Sequence, residues 1–337
     1  ELVGTVDNQG TIYVDAAESA GAGLLISKTV TLNGSGVVTL GTSADAIIPV
    51  ASGAELDNNS TISGAGAIGT GDGNLTLQNE GSGTIDANIS GQTLVINTGS
   101  NAISNNGTWE ANAGTLFVRS DVTGSGSALI TGGGTADFQG AFDQNVTFQG
   151  AGTLELQHSL SNGDYTGTIT GFSTGGVIDL ADFAYNTNSP GCMTVAWTQG
   201  TGNQSDSGTL TIGNGSMTET FTLEGHYNNN NFVLQHDSGT GTEVAFNTTV
   251  AFSDLNVLIV GADSSGYPIS QLSGPETVDP QIACRVCNGP LAAREGQFVL
   301  KSFLLREASR LDARRALQGF LRAKPRVDEF RDHPLGD

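Results

Sequence analysis

Across residues 1–157 the chain is written in short runs of Val, Ile, Leu and Thr, punctuated by Gly and Asn. One phrase recurs: Gly-Thr followed by apolar-x-apolar. It occurs as GTIYV (10–14), GTIDA (83–87), GTWEA (107–111), GTLFV (114–118), GTADF (134–138) and GTLEL (152–156). GVVTL (36–40) and GNLTL (73–77) are looser copies, and successive copies often fall roughly 18–26 residues apart. A five-residue strand with two inward apolar side chains cannot bury them alone. Such units stack coil on coil and extend one narrow core. Gly and Asn suit corners that need positive φ, and Thr and Val suit strand positions stacked rung on rung. The pattern predicts a parallel β-solenoid, a β-helix, over residues 1–157. A β-sandwich is the alternative that the same strands allow.

Residues 158–250 keep the strand pattern at closer spacing, in GTITGF, VIDLADF, MTVAWTQ, GTLTIG, ETFTLEG, NFVLQHD and EVAF. Phe172, Ile178, Leu180, Leu210, Phe221, Leu223, Phe232 and Leu234 are the expected inward side chains. A few antiparallel strands here would cap the open solenoid end, whose strand edges otherwise invite aggregation. Residues 251–283 read as a linker marked by Pro268, Pro275 and Pro280. From Val299 the spacing turns helical: Leu300, Phe303, Leu304, Ala308 and Leu311 share one face. The stripe then moves to Ala316, Leu317, Phe320 and Leu321 before Pro325 closes it. The expected fold is therefore all-β, a parallel β-solenoid capped by a small β-rich module. A short α-helical tail (284–337) follows, fit to dock on an anionic membrane or on the acidic solenoid.

Charge sharpens this division. Lys28 and Arg119 are the two basic residues of 1–280, against 27 of the 34 acids. Formal charge is −25 over 1–280 and +4 over 281–337, which together give the −21 of the chain. A body so acidic repels phosphate backbones and anionic membranes, which argues against nucleic acid as a partner. It suits solubility, high salt or divalent cations. The 48 glycines could signal disorder, but they separate periodic strand runs, as in folded all-β chains. Three cysteines are too few for a disulfide-stapled scaffold. No apolar run approaches the roughly 18 residues of a transmembrane helix. The chain opens at Glu1 without a signal-peptide pattern and reads as part of something longer, entered mid-repeat.

Residues 1–157 resemble the repeat regions of large bacterial surface and secreted proteins, such as autotransporter passengers and filamentous-haemagglutinin-like adhesins. The stretches GTLELQHSLSNGDYTGTITGFSTGGVIDLADFAY (152–185) and SGTLTIGNGSMTETFTLEGHYNNNNFVLQHDSGTGTEVAF (207–246) resemble a terminal module of long rhizobial repeat proteins. Within the first, GFSTGGVIDLADF is similar to segments that end calcium-binding RTX arrays in type I secreted proteins. These resemblances imply export to the cell surface or the medium. Cys284 to Arg306 resembles short rhizobial segments of the form CRxCxGPLxxREGxFVLKxFLLR, which implies an appended piece rather than a solenoid cap.

Candidate chemistry is sparse. Many parallel β-helices are polysaccharide lyases or hydrolases, which need clustered Asp or Glu for acid and base work. Glu110, Asp137 and Glu155 on neighbouring coils are the acids that could serve. The sequence scatters its acids singly, however, and offers Lys28 and Arg119 alone to hold an acidic sugar. Solvated surface carboxylates are the plainer reading. For calcium, GTGDGNLTL (69–77) comes nearest to an RTX turn but lacks its second Gly and puts Asp72 out of register. Asp164, Asp179 and Asp182 could supply calcium with oxygens, unless Asp179 and Asp182 merely flank a strand turn. Cys284-x-x-Cys287 could be half of a zinc site, with Cys192 and His333 as loose candidates for the remainder, or simply two free thiols. His158, His226 and His236 read as surface residues. The Asn-x-Ser/Thr triplets at Asn74, Asn88, Asn106 and Asn145 read as chance in an Asn- and Thr-rich chain. The expectation is a non-enzymatic, exported structural or adhesive solenoid that is secreted or on the cell surface. Its partners would be glycans, surface proteins or copies of itself. The alternative is a carbohydrate-active β-helix enzyme.

Overall fold

The computed structural model describes residues 1–15, 21–157, 165–186, 192–202 and 206–247. The expected linker and helical tail, with Cys284 and Cys287, lie outside the described residues, as does Asp164. What is described is an all-β parallel solenoid of about seven turns. Among the described residues there is no α-helix, and none is long and apolar enough to cross a membrane.

Each turn visits three faces. The first turn runs through β1 (Leu2–Asp7), β2 (Thr11–Val14) and the start of β3 (Gly23–Asn33). The remainder of β3 opens the second turn, followed by β4 (Val37–Leu40) and β5 (Ala46–Pro49). The third holds β6 (Ala54–Asn58), β7 (Thr61–Gly64) and β8 (Gly66–Ile68). The fourth holds β9 (Leu75–Asn79), β10 (Thr84–Ala87) and β11 (Thr93–Ile96). Next come β12 (Ile103–Asn105), β13 (Thr108–Asn112) and β14 (Thr115–Val118), then β15 (Val122–Thr123), β16 (Ser127–Thr131) and β17 (Thr135–Phe138). β18 (Asn145–Gln149), β19 (Gly152–Leu156), β20 (Thr168–Thr170) and β21 (Gly176–Leu180) continue the second and third faces. Every pairing along these faces is parallel, which excludes the sandwich.

The pairing changes at the C-terminal end. Beyond β22 (Thr194–Gln199) and β23 (Ser207–Gly213), β24 (Thr218–Glu224) pairs parallel with β20, while β23 pairs antiparallel with both β24 and β22. β25 (Phe232–His236) and β26 (Thr242–Phe246) form an antiparallel pair, and β26 runs antiparallel to β21. Seven of the eight expected inward side chains of this region are buried, and Leu234 is half-buried.

The Gly-Thr phrase explains the stacking. Its third and fifth residues point inward: Ile85 and Ala87, Trp109 and Ala111, Ala136 and Phe138, Leu154 and Leu156 are all buried. Its Thr and fourth residue face out. At Gly83 and Gly107 the opening Gly does a different job from the one expected at a corner. Gly83 and Gly107 lie outside the positive-φ region, and what they lack is room. A Cβ on Gly107 would sit 2.2 Å from the carbonyl oxygen of Gly83, one turn below. Bare backbone lets consecutive turns approach at that corner.

A second corner is held by amides. Asn58, Asn79 and Asn105 are fully buried. Asn58 Nδ2 donates to Asn79 Oδ1 at 2.8 Å, Asn79 Nδ2 to Asn105 Oδ1 at 2.7 Å, and Asn105 Nδ2 to Gln144 Oε1 at 2.6 Å. Tyr165 then donates its hydroxyl to the Gln144 carbonyl. Next to this ladder the core changes from aliphatic to aromatic, with Phe138 stacked on Phe142 and Phe142 on Tyr165.

Candidate functional site

Because the fourth residue of the Gly-Thr phrase faces out, parallel stacking lines these residues up across turns. On the third face the row runs Val95, Phe117, Asp137, Glu155, Asp179, Glu243 and Gln235. Neighbouring strands lie about 4.8 Å apart, so four carboxyl groups occupy consecutive rungs. Beside them runs a row of hydroxyls, Thr93, Thr115, Thr135 and Thr153. On the second face Asp86 and Glu110 are rung partners, between Ser63 and Leu129. The first face carries Glu55 and Asp57 beside Thr29 and Thr31, which donate to them, and Gln78, whose Nε2 reaches both.

Glutamines span part of the third-face row. Gln157 Nε2 donates to Asp137 Oδ1 at 2.8 Å and to Glu155 Oε1 at 3.2 Å, and Gln235 Nε2 donates to Glu243 Oε2 at 2.6 Å. Asp179 Oδ1 is buried without a hydrogen-bond partner. Burial pushes Asp137 up to about 7, with a further push from the Glu155 carboxylate. Asp179 is also pushed up to about 7, by burial first and then by Glu155, Asp237, Glu243 and Asp137. Burial raises Glu155 as well. On the second face burial and then Glu110 push Asp86 up to about 6, against the hydrogen bond from Asn88. Arg119 shares the third face, but its Nε donates to Gln139 and its guanidinium lies over the Phe117 ring.

The expected site residues thus separate. Asp137 and Glu155 are brought to adjacent rungs, whereas Glu110 lies on another face and pairs with Asp86. The acids that looked scattered are aligned. The signal was present in the fourth letter of GTIDA, GTWEA, GTADF and GTLEL. Asp179 belongs to the row, and Asp182 sits in the turn where Phe183 N bonds back to the Leu180 carbonyl. Among the described residues no three His, Cys, Asp or Glu side chains gather to hold a metal ion. Asp72 caps its own loop by accepting from Asn74 N. Cys192 is buried in the described structure, whereas the cysteines that would complete a zinc site with it lie outside the described residues. His226 lies exposed beside Asp206, and His236 is exposed beside Asp237. No protein-family model matches the chain, and no curated protein matches it by sequence.

Proposed function

We propose that this protein is a non-enzymatic structural and adhesive scaffold, exported to the bacterial surface or the extracellular matrix, whose outward faces are its working surface. The observation that carries the reading is the in-register row of hydroxyls beside the in-register row of carboxyls on the third face. Equivalent hydrogen-bonding groups repeated about every 4.8 Å suit a ligand that is itself extended and repetitive. A glycan chain fits that description, and so does the face of another surface protein or of a second copy. The resemblance to bacterial repeat proteins supports the location. The antiparallel strands β22 to β26 serve as the cap that keeps the last solenoid rungs from adding foreign strands. The test is retention of the purified chain on a panel of immobilised neutral, acidic and amino-sugar polysaccharides. We expect retention on at least one, lost when Thr115, Thr135 and Thr153 are all changed to Val. Equal retention of the Val variant, or none by the parent, refutes the adhesive reading.

A second reading, a carbohydrate-active enzyme, draws on one feature: a carboxyl pushed up to about 7, Asp137, stands one rung from Glu155. Paired carboxyl groups about 5 Å apart serve as acid and nucleophile in retaining glycosidases. Release of reducing or unsaturated ends from any panel polysaccharide, abolished by Glu155→Gln, would establish it in place of the scaffold.

A further inference from the structure

Two acid pairs sit on adjacent rungs in different parts of the solenoid. Asp86 and Glu110 join the fourth and fifth turns on the second face, and Asp137 and Glu155 join β17 to β19 on the third. Backbone register puts each pair on one rung, so the two carboxyls stay neighbours for as long as the turns stay stacked. Each pair is also poorly compensated. Around Asp86 and Glu110 the facing groups are Ser63, Leu129, Thr84, Thr108 and the Asn88 amide, none of them cationic. Around Asp137 and Glu155 they are Phe117, the Gln157 amide and the further carboxyls Asp179 and Asp237. Arg119 is engaged with Gln139, and among the described residues no Lys or Arg forms an ion pair. Asp86 Oδ1 is buried with no donor directed at it. A buried carboxylate oxygen without a donor is costly, whereas a carboxyl that carries a proton supplies its own.

We propose that these two pairs are proton-operated clamps between turns: protonated once, each shares its proton along the rung as a carboxyl–carboxylate hydrogen bond, and fully ionised, each pushes its turns apart. The proton comes from solvent and no bond other than O–H is made or broken. The inference stands whether the faces bind a glycan or nothing. Burial and the neighbouring charge push Asp86 up to about 6 and Asp137 up to about 7, while their unfolded values stay near 4. The native state therefore holds more protons than the unfolded chain between about pH 4 and pH 7, and stability falls as pH rises through that window. That is opposite to a protein whose carboxylates are paired with cations.

The experiment is thermal unfolding of the full chain from pH 4.5 to pH 8.5 at constant ionic strength. The parent is compared with Asp86→Asn/Asp137→Asn, which keeps shape and removes the titration. A control, Glu1→Gln/Asp15→Asn, removes the same charge from exposed positions. We expect the parent and the control to lose several degrees of Tm between pH 5 and pH 8, and the clamp variant to lose clearly less. A parent profile that is flat or rises with pH overturns the proposal, as does a clamp variant no different from the control. Should the clamp variant fail to fold, proton uptake on refolding the parent at pH 6 decides. Net uptake larger in the parent than in each single variant, Asp86→Asn or Asp137→Asn, supports the clamps, and equal uptake refutes them. Calcium at pH 8 that restores Tm in the parent but not in the clamp variant would show a cation site instead, and would also overturn them.

Discussion

Asn79 both gives and receives inside a core from which water is excluded: it accepts from Asn58, and donates to Asn105 and to the Gly83 carbonyl. Asn79→Ala therefore leaves the Asn58 amide only the long 3.4 Å bond to the Thr84 carbonyl and leaves Asn105 Oδ1 without its donor, besides removing one buried amide. Each buried polar group left without its partner costs about 1–3 kcal/mol, so the variant should lose roughly 3 kcal/mol in urea unfolding. Trp109 makes the opposite case. Its Nε1–H is buried with no acceptor, so Trp109→Phe trades lost volume against removal of an unsatisfied donor. Its cost should stay below about 1.5 kcal/mol, although truncating large core side chains commonly costs 3–5. If Trp109→Phe proved costlier than Asn79→Ala, packing rather than amide satisfaction would set the stability of these turns. Asparagine at corners was legible in the sequence, but for the wrong reason. Local reading assigns it to positive φ, whereas Asn58, Asn79 and Asn105 are extended-strand residues whose side chains find each other across turns. Only the stack creates that environment.

Strands were the most legible elements, because inward positions three and five of each Gly-Thr phrase are apolar whatever the face. What the phrase does not encode is which face it serves. GTWEA and GTLFV begin seven residues apart and lie on two faces of one turn, β13 and β14. GTIDA and GTWEA, 24 residues apart, are true rung partners. The first face carries no strict Gly-Thr phrase at all in β3, β6, β9, β12 and β15, and only β9 falls on a looser copy, GNLTL. The acid rows were hidden for the same reason, since alignment depends on register rather than on distance along the chain. The glycine that opens the phrase offers a direct check on this stacking. Gly107→Ala must push a Cβ against the Gly83 carbonyl, while Gly81→Ala enters open space at ordinary φ. The first should cost about 2 kcal/mol or more and the second less than about 0.5, in the range typical of surface changes. Equal urea midpoints for the two variants would mean that the turns are less closely stacked at this corner.

On the scale of the whole molecule, charge is the dominant unspent term. Residues 1–280 carry −25 with two cations, and the solenoid arranges many of its carboxylates in rows rather than spreading them. Like charges one rung apart interact well inside the Debye length of about 8 Å at physiological salt, and rows a turn or two away lie near it. Added salt should therefore stabilise the fold through screening, most steeply at low ionic strength and then with diminishing effect. The identity of the cation separates screening from binding. A specific calcium site stabilises the native state by mass action, and keeps doing so in proportion to the logarithm of calcium concentration above its Kd. Screening responds to ionic strength and saturates. Since no three candidate ligands gather among the described residues, we expect sodium and calcium chlorides at matched ionic strength to raise Tm at pH 8 by the same few degrees. A calcium curve that climbs past the sodium plateau would assign the acid rows a cation-binding role.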